Sequence, residues 1–198
     1  TRQILDAPDL DALAAAASQI TRVIALMQRG GTKVSLIARL VQELNAKLFE
    51  RAWQLLAPPE LVANSYLFVM GSEGRGEQLL KTDQDNGIVY ADDAPPGADA
   101  WYAALARIVC DGLDACGYPY CPGKIMATTD EWRQPLSGWL EHFPTWAAVP
   151  DPEAVLRISI FFDLRAVFGD QPLAERVSQA LGECGTGSGK GVFIAALA

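Results

Sequence analysis

The feature that most constrains the fold is a short run of apolar, β-forming residues that ends directly in a glycine. Residues 66–70 read Tyr-Leu-Phe-Val-Met and are followed by Gly71 and Ser72. This run predicts a buried strand that leads into a tight turn. Because glycine has no Cβ, the backbone amides and the Ser72 hydroxyl can approach a ligand closely, which suits phosphate oxygens. Arg75 follows in the same turn and is placed to clamp a phosphate.

Two carboxylates come just before the next predicted strand, which covers residues 88–90. Asp83 and Asp85 are two residues apart, so their side chains are expected on one face of the chain. Magnesium prefers a few carboxylates together with phosphate oxygens, and phosphoryl transfer depends largely on such metal positioning. An isolated Asp-x-Asp pair is most often a solvated acidic loop. The strands on both sides favour a magnesium site instead.

Helical periodicity dominates the residues before the first strand. Apolar residues recur at helical spacing between residues 6 and 28 and again between residues 32 and 56. Gly30-Gly31 ends the first pattern, and Pro58-Pro59 ends the second. We predict an antiparallel helix pair over residues 1–57, ahead of a second domain over residues 58–184.

The second half of the chain mixes helical and strand patterns. Residues 98–116 and 172–181 are helical in pattern, and residues 124–127 suit a strand. Residues 156–164 fit both, because their apolar side chains alternate as in a strand, while an Asp-Pro pair and Gly169 frame them as a helix. The sequence leaves both possibilities open.

The sequence of the glycine-rich residues 185–191 does not match the motif of a phosphate-binding loop. The first glycine of that motif falls on Cys184, Gly191 replaces its Ser or Thr, and no strand precedes it. Residues 185–198 are therefore interpreted as a flexible linker and the beginning of a further helix, in a longer protein.

Charge and composition exclude several classes of function. Sixteen Lys and Arg against 24 Asp and Glu give a net charge of −8, which argues against extended nucleic-acid binding but not against one nucleotide held through a cation. The four cysteines form no CxxC pair and His142 is the only histidine, so the spacing of a structural zinc site is missing. Uninterrupted apolar runs fall short of the roughly 18 residues of a membrane span. We predict a cytoplasmic protein with reduced cysteines and no membrane association.

The glycine turn and the carboxylate pair together resemble the polymerase-beta-like nucleotidyltransferase superfamily. Residues 71–77 (GSEGRGE) and 83–86 (DQDN) are similar to a nucleotidyltransferase domain of bacterial signalling proteins, related to the amino-terminal part of the protein-PII uridylyltransferases. That domain often accompanies CBS and cyclic-nucleotide-binding domains. Residues 132–133 (WR), 162–165 (FDLR) and 169–170 (GD) also resemble it. The resemblance implies an α+β fold: a small mixed β-sheet flanked by helices and preceded by the helix pair.

The resemblance also implies the roles of individual residues. Catalysis and the binding of Mg²⁺ or Mn²⁺ fall to Asp83, Asp85 and Asp163. Asp163 is expected as a third carboxylate, acting as metal ligand or base, and Asp130 and Asp151 are rivals for that place. If Asp163 points away from the pair, only two carboxylates remain and efficient catalysis is in doubt. The nucleotide-binding residues are Gly71, Ser72, Arg75, Lys81 and Thr82, while Arg75 and Glu77 are also suited to a simple ion pair across the turn.

The reaction expected from these residues is transfer of a nucleoside monophosphate from a nucleoside triphosphate to a hydroxyl, with release of pyrophosphate. By resemblance the acceptor is a protein, for example a tyrosine of a small regulatory protein. The alternative is a regulatory module that senses a nucleotide without turnover and signals to neighbouring domains. A third interpretation is a structural domain whose helix pair forms a homodimer.

Overall fold

Four strands form one mixed sheet in the computed structural model, which describes residues 1–76, 83–148 and 152–186. The strand order is β3-β2-β1-β4; β1 pairs antiparallel with β2 and β4, and β2 pairs parallel with β3. The strands are β1 Ser65–Val69, β2 Asn86–Tyr90, β3 Arg133–Pro135 and β4 Arg165–Gly169. The fold is therefore α+β with a small mixed sheet, as predicted.

Helices surround this sheet. They are α1 Arg2–Leu5, α2 Leu10–Arg29, α3 Val34–Leu56, α4 Pro59–Val62, α5 Gly71–Arg75, α6 Ala98–Ala115, α7 Leu136–Ala148, α8 Pro152–Phe162 and α9 Gln171–Thr186. A short 3₁₀ turn at Asp130–Trp132 precedes β3. Every residue of β1 is buried. Leu67 and Val69 join one core with α2, α3 and α6, while Tyr66 and Phe68 join a second core with α7, α8 and α9. Residues 66–69 of this central strand are all hydrophobic, as expected for a strand that is covered on both faces.

The N-terminal helices pack on each other and on the sheet. Helix α2 begins after Asp9, whose side chain accepts a hydrogen bond from the Ala12 amide at 2.8 Å and caps the helix. A connection of residues 30–33 turns the chain back into α3, so the two helices are antiparallel. Their buried residues belong to the same core as β1, β2 and α6. The division into domains at residues 57 and 58 stays a prediction.

Helix α2 also bears on the expectation of no membrane association. Its 20 residues are, by length and composition alone, apolar enough to cross a membrane. Counting uninterrupted apolar runs overlooked it, because polar residues such as Asp11 and Arg22 interrupt the run while the average over the helix stays apolar. Core helices of soluble proteins pass the same test, and Leu13, Ala17 and Ile24 of α2 are buried in the protein core. The absence of membrane association stays a prediction.

In the second half, one predicted strand is wrong and one open alternative is settled. Residues 124–127 form no strand, because Lys124 adopts a φ of 58° in a turn closed by its amide on the Cys121 carbonyl. The additional strand is β3, whose pattern of Arg-Gln-Pro gave no apolar signal. The ambiguous residues 156–164 are helical up to Phe162, and a strand begins at Arg165. Helix α9 ends at Thr186, and the rest of the predicted linker lies outside the described residues.

Candidate active site

The glycine turn lies directly against one of the two predicted carboxylates. Strand β1 is followed by Met70 in an extended conformation and then by Gly71, which has a φ of +57°. A Cβ on Gly71 would lie 2.6 Å from Oδ2 of Asp85. Both the left-handed backbone and the close approach therefore require glycine here. The first residue of α5 therefore lies directly against the Asp85 carboxylate.

The two residues that alternate with the carboxylates, Gln84 and Asn86, hold this segment in place from the opposite side. Gln84 and Asn86 are almost fully buried, and the Gln84 side chain donates to the carbonyls of Cys110 and Tyr118 at 3.0 and 2.9 Å. The side-chain amide of Asn86 donates a hydrogen bond to the side-chain oxygen of Gln84 at 3.1 Å. Alternation along the chain thus turns Gln84 and Asn86 inward and leaves Asp83 and Asp85 on the other face. This matches the geometry expected for the Asp-x-Asp pair.

We expect replacement of Gln84 by leucine to lower the free energy of unfolding by about 2 kcal/mol, because buried carbonyls and the Asn86 amide lose their partner. Urea denaturation measures the change. The control is Gln179→Leu, at an exposed site on α9 where the side chain donates a hydrogen bond to Glu183 at 2.9 Å, and it should stay within about 0.5 kcal/mol of wild type. Equal effects of the two substitutions would contradict the structural role of Gln84.

A cysteine joins the carboxylate pair. One carboxylate oxygen each from Asp83 and Asp85 and the thiol sulfur of Cys121 lie within 4.8 Å of one another. Oδ1 of Asp85 is buried and lacks a hydrogen-bond partner among the described residues. Burial raises the pKa of Asp85; the Cys121 hydrogen bond opposes this, and the charge of Asp83 adds to it. These donors fit a divalent cation, which would supply the missing partner and neutralise the two charges.

Asp163 does not belong to this group. Its carboxylate forms an ion pair with Arg75, and it shares no 4.8 Å cluster with Asp83 and Asp85. The backbone at Asp163 packs so closely on Gly74 that a Cβ there would lie 1.7 Å from the Asp163 carbonyl oxygen. Asp163 therefore holds the arginine of the α5 turn, and its role as a third carboxylate stays a prediction.

The two rival carboxylates and the remaining predicted ligands have different outcomes. Asp130 pairs with Arg133 at 2.5 Å, next to the start of β3, and is not part of the cluster either. Asp151 lies outside the described residues, as do the predicted nucleotide ligands Lys81 and Thr82 and the turn residue Glu77. The described part of the site thus consists of the α5 turn, the Asp-x-Asp pair and Cys121.

A buried glutamate connects the glycine turn to the helix pair, and sequence reasoning missed it. Glu73 in α5 is only 3% exposed; it accepts hydrogen bonds from Asn45 of α3 at 2.9 Å and from Arg165 of β4 at 2.7 Å. The Tyr118 hydroxyl donates to Asn45 and extends the network. Burial raises the pKa of Glu73 to about 7, although Asn45 and Arg165 oppose the shift. The turn is therefore anchored to both neighbouring elements through one carboxylate.

This glutamate predicts a pH-dependent stability. The folded protein binds the Glu73 proton more tightly than the unfolded chain, so this stabilisation is complete below pH 4.5 and is lost as pH rises through about 7. The loss is on the order of 2 to 3 kcal/mol. Urea denaturation at pH 5 and pH 8 gives the change in free energy of unfolding between the two pH values for wild type and for Glu73→Gln. The difference between these two changes measures the contribution of Glu73. Identical pH responses would contradict the shifted Glu73.

Comparison with known proteins gives one family for this chain. A model of the family described as putative nucleotidyltransferase DUF294 matches residues 18–153, which is more than half of the chain and includes the glycine turn, the Asp-x-Asp pair and Cys121. Asp163 lies beyond the matched residues. No curated protein matches the chain significantly. The chain belongs to the putative nucleotidyltransferase family DUF294.

Proposed function

We propose that the protein is a metal-dependent nucleotidyltransferase that transfers a nucleoside monophosphate from a nucleoside triphosphate to a hydroxyl. The observation that carries the proposal is the contact between Gly71 and Asp85, because it puts a backbone without a side chain directly beside a carboxylate pair suited to a cation. The hydroxyl oxygen forms a bond to the α-phosphorus, the bond to the β-phosphate oxygen breaks, and pyrophosphate leaves with that electron pair. The hydroxyl proton passes to a base or to water.

Each described residue has a defined task in this proposal. Asp83 and Asp85 would hold Mg²⁺ or Mn²⁺, which supplies neutralisation of phosphate charge. The Gly71 turn and the Ser72 hydroxyl seat phosphate oxygens close to the backbone. Arg75 adds positive charge beside them, and the ion pair with Asp163 orients its guanidinium. Asp163 therefore acts as a positioning residue in this site.

The acceptor and the cellular setting follow from the family resemblance. The acceptor we propose is a hydroxyl on a protein, in the manner of a protein uridylyltransferase, in the cytoplasm of a bacterium. The net charge of −8 disfavours a long nucleic-acid acceptor, because its phosphates would be repelled. Regulatory domains in a longer chain, sensing small molecules or cyclic nucleotides, are the partners this setting implies.

One observation favours a second candidate function, a nucleotide sensor without turnover. Asp163 pairs with Arg75, so the cation site has two carboxylates and a thiol where three carboxylates were expected. A site of this kind can still bind a nucleotide with its cation, and the Glu73 network connects that site to the helix pair. Occupancy would then be transmitted through α3 to neighbouring domains.

Turnover separates the two candidates. The protein is incubated with Mg²⁺ or Mn²⁺ and each labelled nucleoside triphosphate, with and without candidate acceptor proteins. Catalysis is supported if one of the four nucleotides gives both pyrophosphate release and labelled acceptor, with one pyrophosphate released for each label transferred. Cation-dependent nucleotide binding without release, in the presence of an acceptor that a related active enzyme modifies, supports the sensor.

A further inference from the structure

Cys121 reaches the carboxylate pair through a rigid loop. The segment after α6 forms a parallel bridge between Tyr120 and Gln84, and the Gln84 amide donates to the Pro119 carbonyl at 3.0 Å. One residue later, the Cys121 amide donates to the Met126 sulfur at 3.4 Å. These bonds fix the backbone on both sides of the thiol. Its position beside Asp85 is therefore set by the fold.

The surroundings of the thiol are those of a ligand site. Cys121 is 7% exposed, and its sulfur lies within 4.8 Å of both carboxylate groups. The buried Oδ1 of Asp85 lacks a hydrogen-bond partner among the described residues, which leaves one oxygen to be satisfied. Two ligand atoms on one zinc ion are separated by at most about 4.4 Å, from bond lengths of about 2.0–2.3 Å. Small side-chain rotations bring the three atoms onto one ion.

A thiolate changes which cation such a site prefers. Magnesium takes oxygen ligands in octahedral geometry, whereas soft thiolate ligands favour zinc and chemically similar ions. Two carboxylates and one thiolate give the three protein ligands of an open zinc site, with the fourth position left for a phosphate oxygen or water. On binding, the sulfur forms the bond to the metal and its proton leaves to solvent.

We infer that Cys121 is the third protein ligand of the cation site and that the site binds a thiophilic divalent cation of the zinc class more tightly than Mg²⁺. This inference rests on the proposed function only in taking Asp83 and Asp85 as cation ligands. In this inference the third ligand is a thiol from a different part of the chain, where a third carboxylate was expected. A zinc-class ion then competes with Mg²⁺ for the same carboxylates.

Metal binding without nucleotide tests the inference. Cd²⁺, a zinc-class probe, produces a thiolate-to-metal absorption band in the ultraviolet when sulfur is a ligand. We expect this band in wild type and its loss in Cys121→Ala and Cys121→Ser. Competition with a chromophoric chelator should show Zn²⁺ affinity at least about tenfold lower in both variants. The Mg²⁺ affinity, measured by calorimetry, should change less than twofold, because Mg²⁺ does not use the thiol.

Cys116→Ala is the matched control, because Cys116 is also a buried cysteine outside any disulfide but is not part of the cluster. It should keep both the Cd²⁺ band and the Zn²⁺ affinity. Circular dichroism establishes that each variant is folded, and the serine variant serves if alanine unfolds the loop. A wild-type band or Zn²⁺ affinity in both Cys121 variants would overturn the inference. That result is independent of pyrophosphate release, which tests the proposed function.

Discussion

In the Asp83→Asn, Asp85→Asn double variant, the rate of pyrophosphate release is expected to fall at least about 10³-fold. Its thermal unfolding midpoint is expected to equal or exceed that of wild type. Activity falls because the cation loses both carboxylates. Stability does not fall because, without a cation, burial and the neighbouring Asp83 charge both disfavour ionised Asp85. Neutral asparagines remove that penalty, which is worth up to about 1 kcal/mol. Opposite signs for activity and stability are the signature of a functional carboxylate pair.

The matched control removes two negative charges away from the site. Asp93→Asn, Asp114→Asn changes two exposed aspartates, one in the loop after β2 and one near the end of α6. This variant should keep the wild-type rate and the wild-type unfolding midpoint within error. Release that survives loss of the pair would remove the catalytic assignment. A large drop in the unfolding midpoint of the Asp83, Asp85 variant would instead assign the pair a structural role.

Replacing Gly74 by alanine is expected to destabilise the protein by about 3 kcal/mol or more. Helix propensity alone would favour alanine in α5 by about 1 kcal/mol. However, the new Cβ would lie 1.7 Å from the Asp163 carbonyl oxygen and 2.8 Å from its carbonyl carbon. The contacting atoms are backbone, so the link between α8 and β4 must move away. That displacement also pulls Asp163 from Arg75, so nucleotide affinity should fall together with stability.

Gly182→Ala is the control for this change. Gly182 lies in α9, and a Cβ there would meet no heavy atom within 4 Å. Propensity then acts alone, and alanine should be neutral or stabilising by up to about 1 kcal/mol. Urea denaturation of both variants gives the comparison. If the two substitutions have similar effects, the close packing of α5 on residue 163 does not exist in solution.

Much of the fold near the site could be predicted from local patterns. The run at residues 66–70 predicted β1, the glycine predicted the turn, and the spacing of Asp83 and Asp85 predicted their common face. These signals depend on a few neighbouring residues, because alternation and the missing Cβ of glycine act within a single strand or turn. Strand β3 was missed for the same reason: residues 133–135 contain no apolar alternation, and pairing with β2 alone makes them a strand.

The partners of the site residues were harder to predict. The ion pair of Asp163 with Arg75 gave no sequence signal, because it forms only where the chain leaves α8 at Phe162 and packs its backbone on Gly74. Glu73 stands in the glycine turn without any local signal of its own, and only the packing of α3 and β4 around it shows a buried carboxylate with its own partners. Burial and ion pairing are properties of the assembled core, so no local pattern carries them.

The sequence by itself determined the family, the strand-turn-strand frame and the carboxylate pair, because each is written in contiguous residues with a fixed period. The tertiary structure decided which residue from elsewhere in the chain lies beside that pair. Cys121 follows Asp85 after a whole helix and a loop, and it reaches the site only because backbone hydrogen bonds tie residues 119–120 to Gln84. Contacts between distant parts of the chain depend on how the loops close, and this is settled only when the whole core packs.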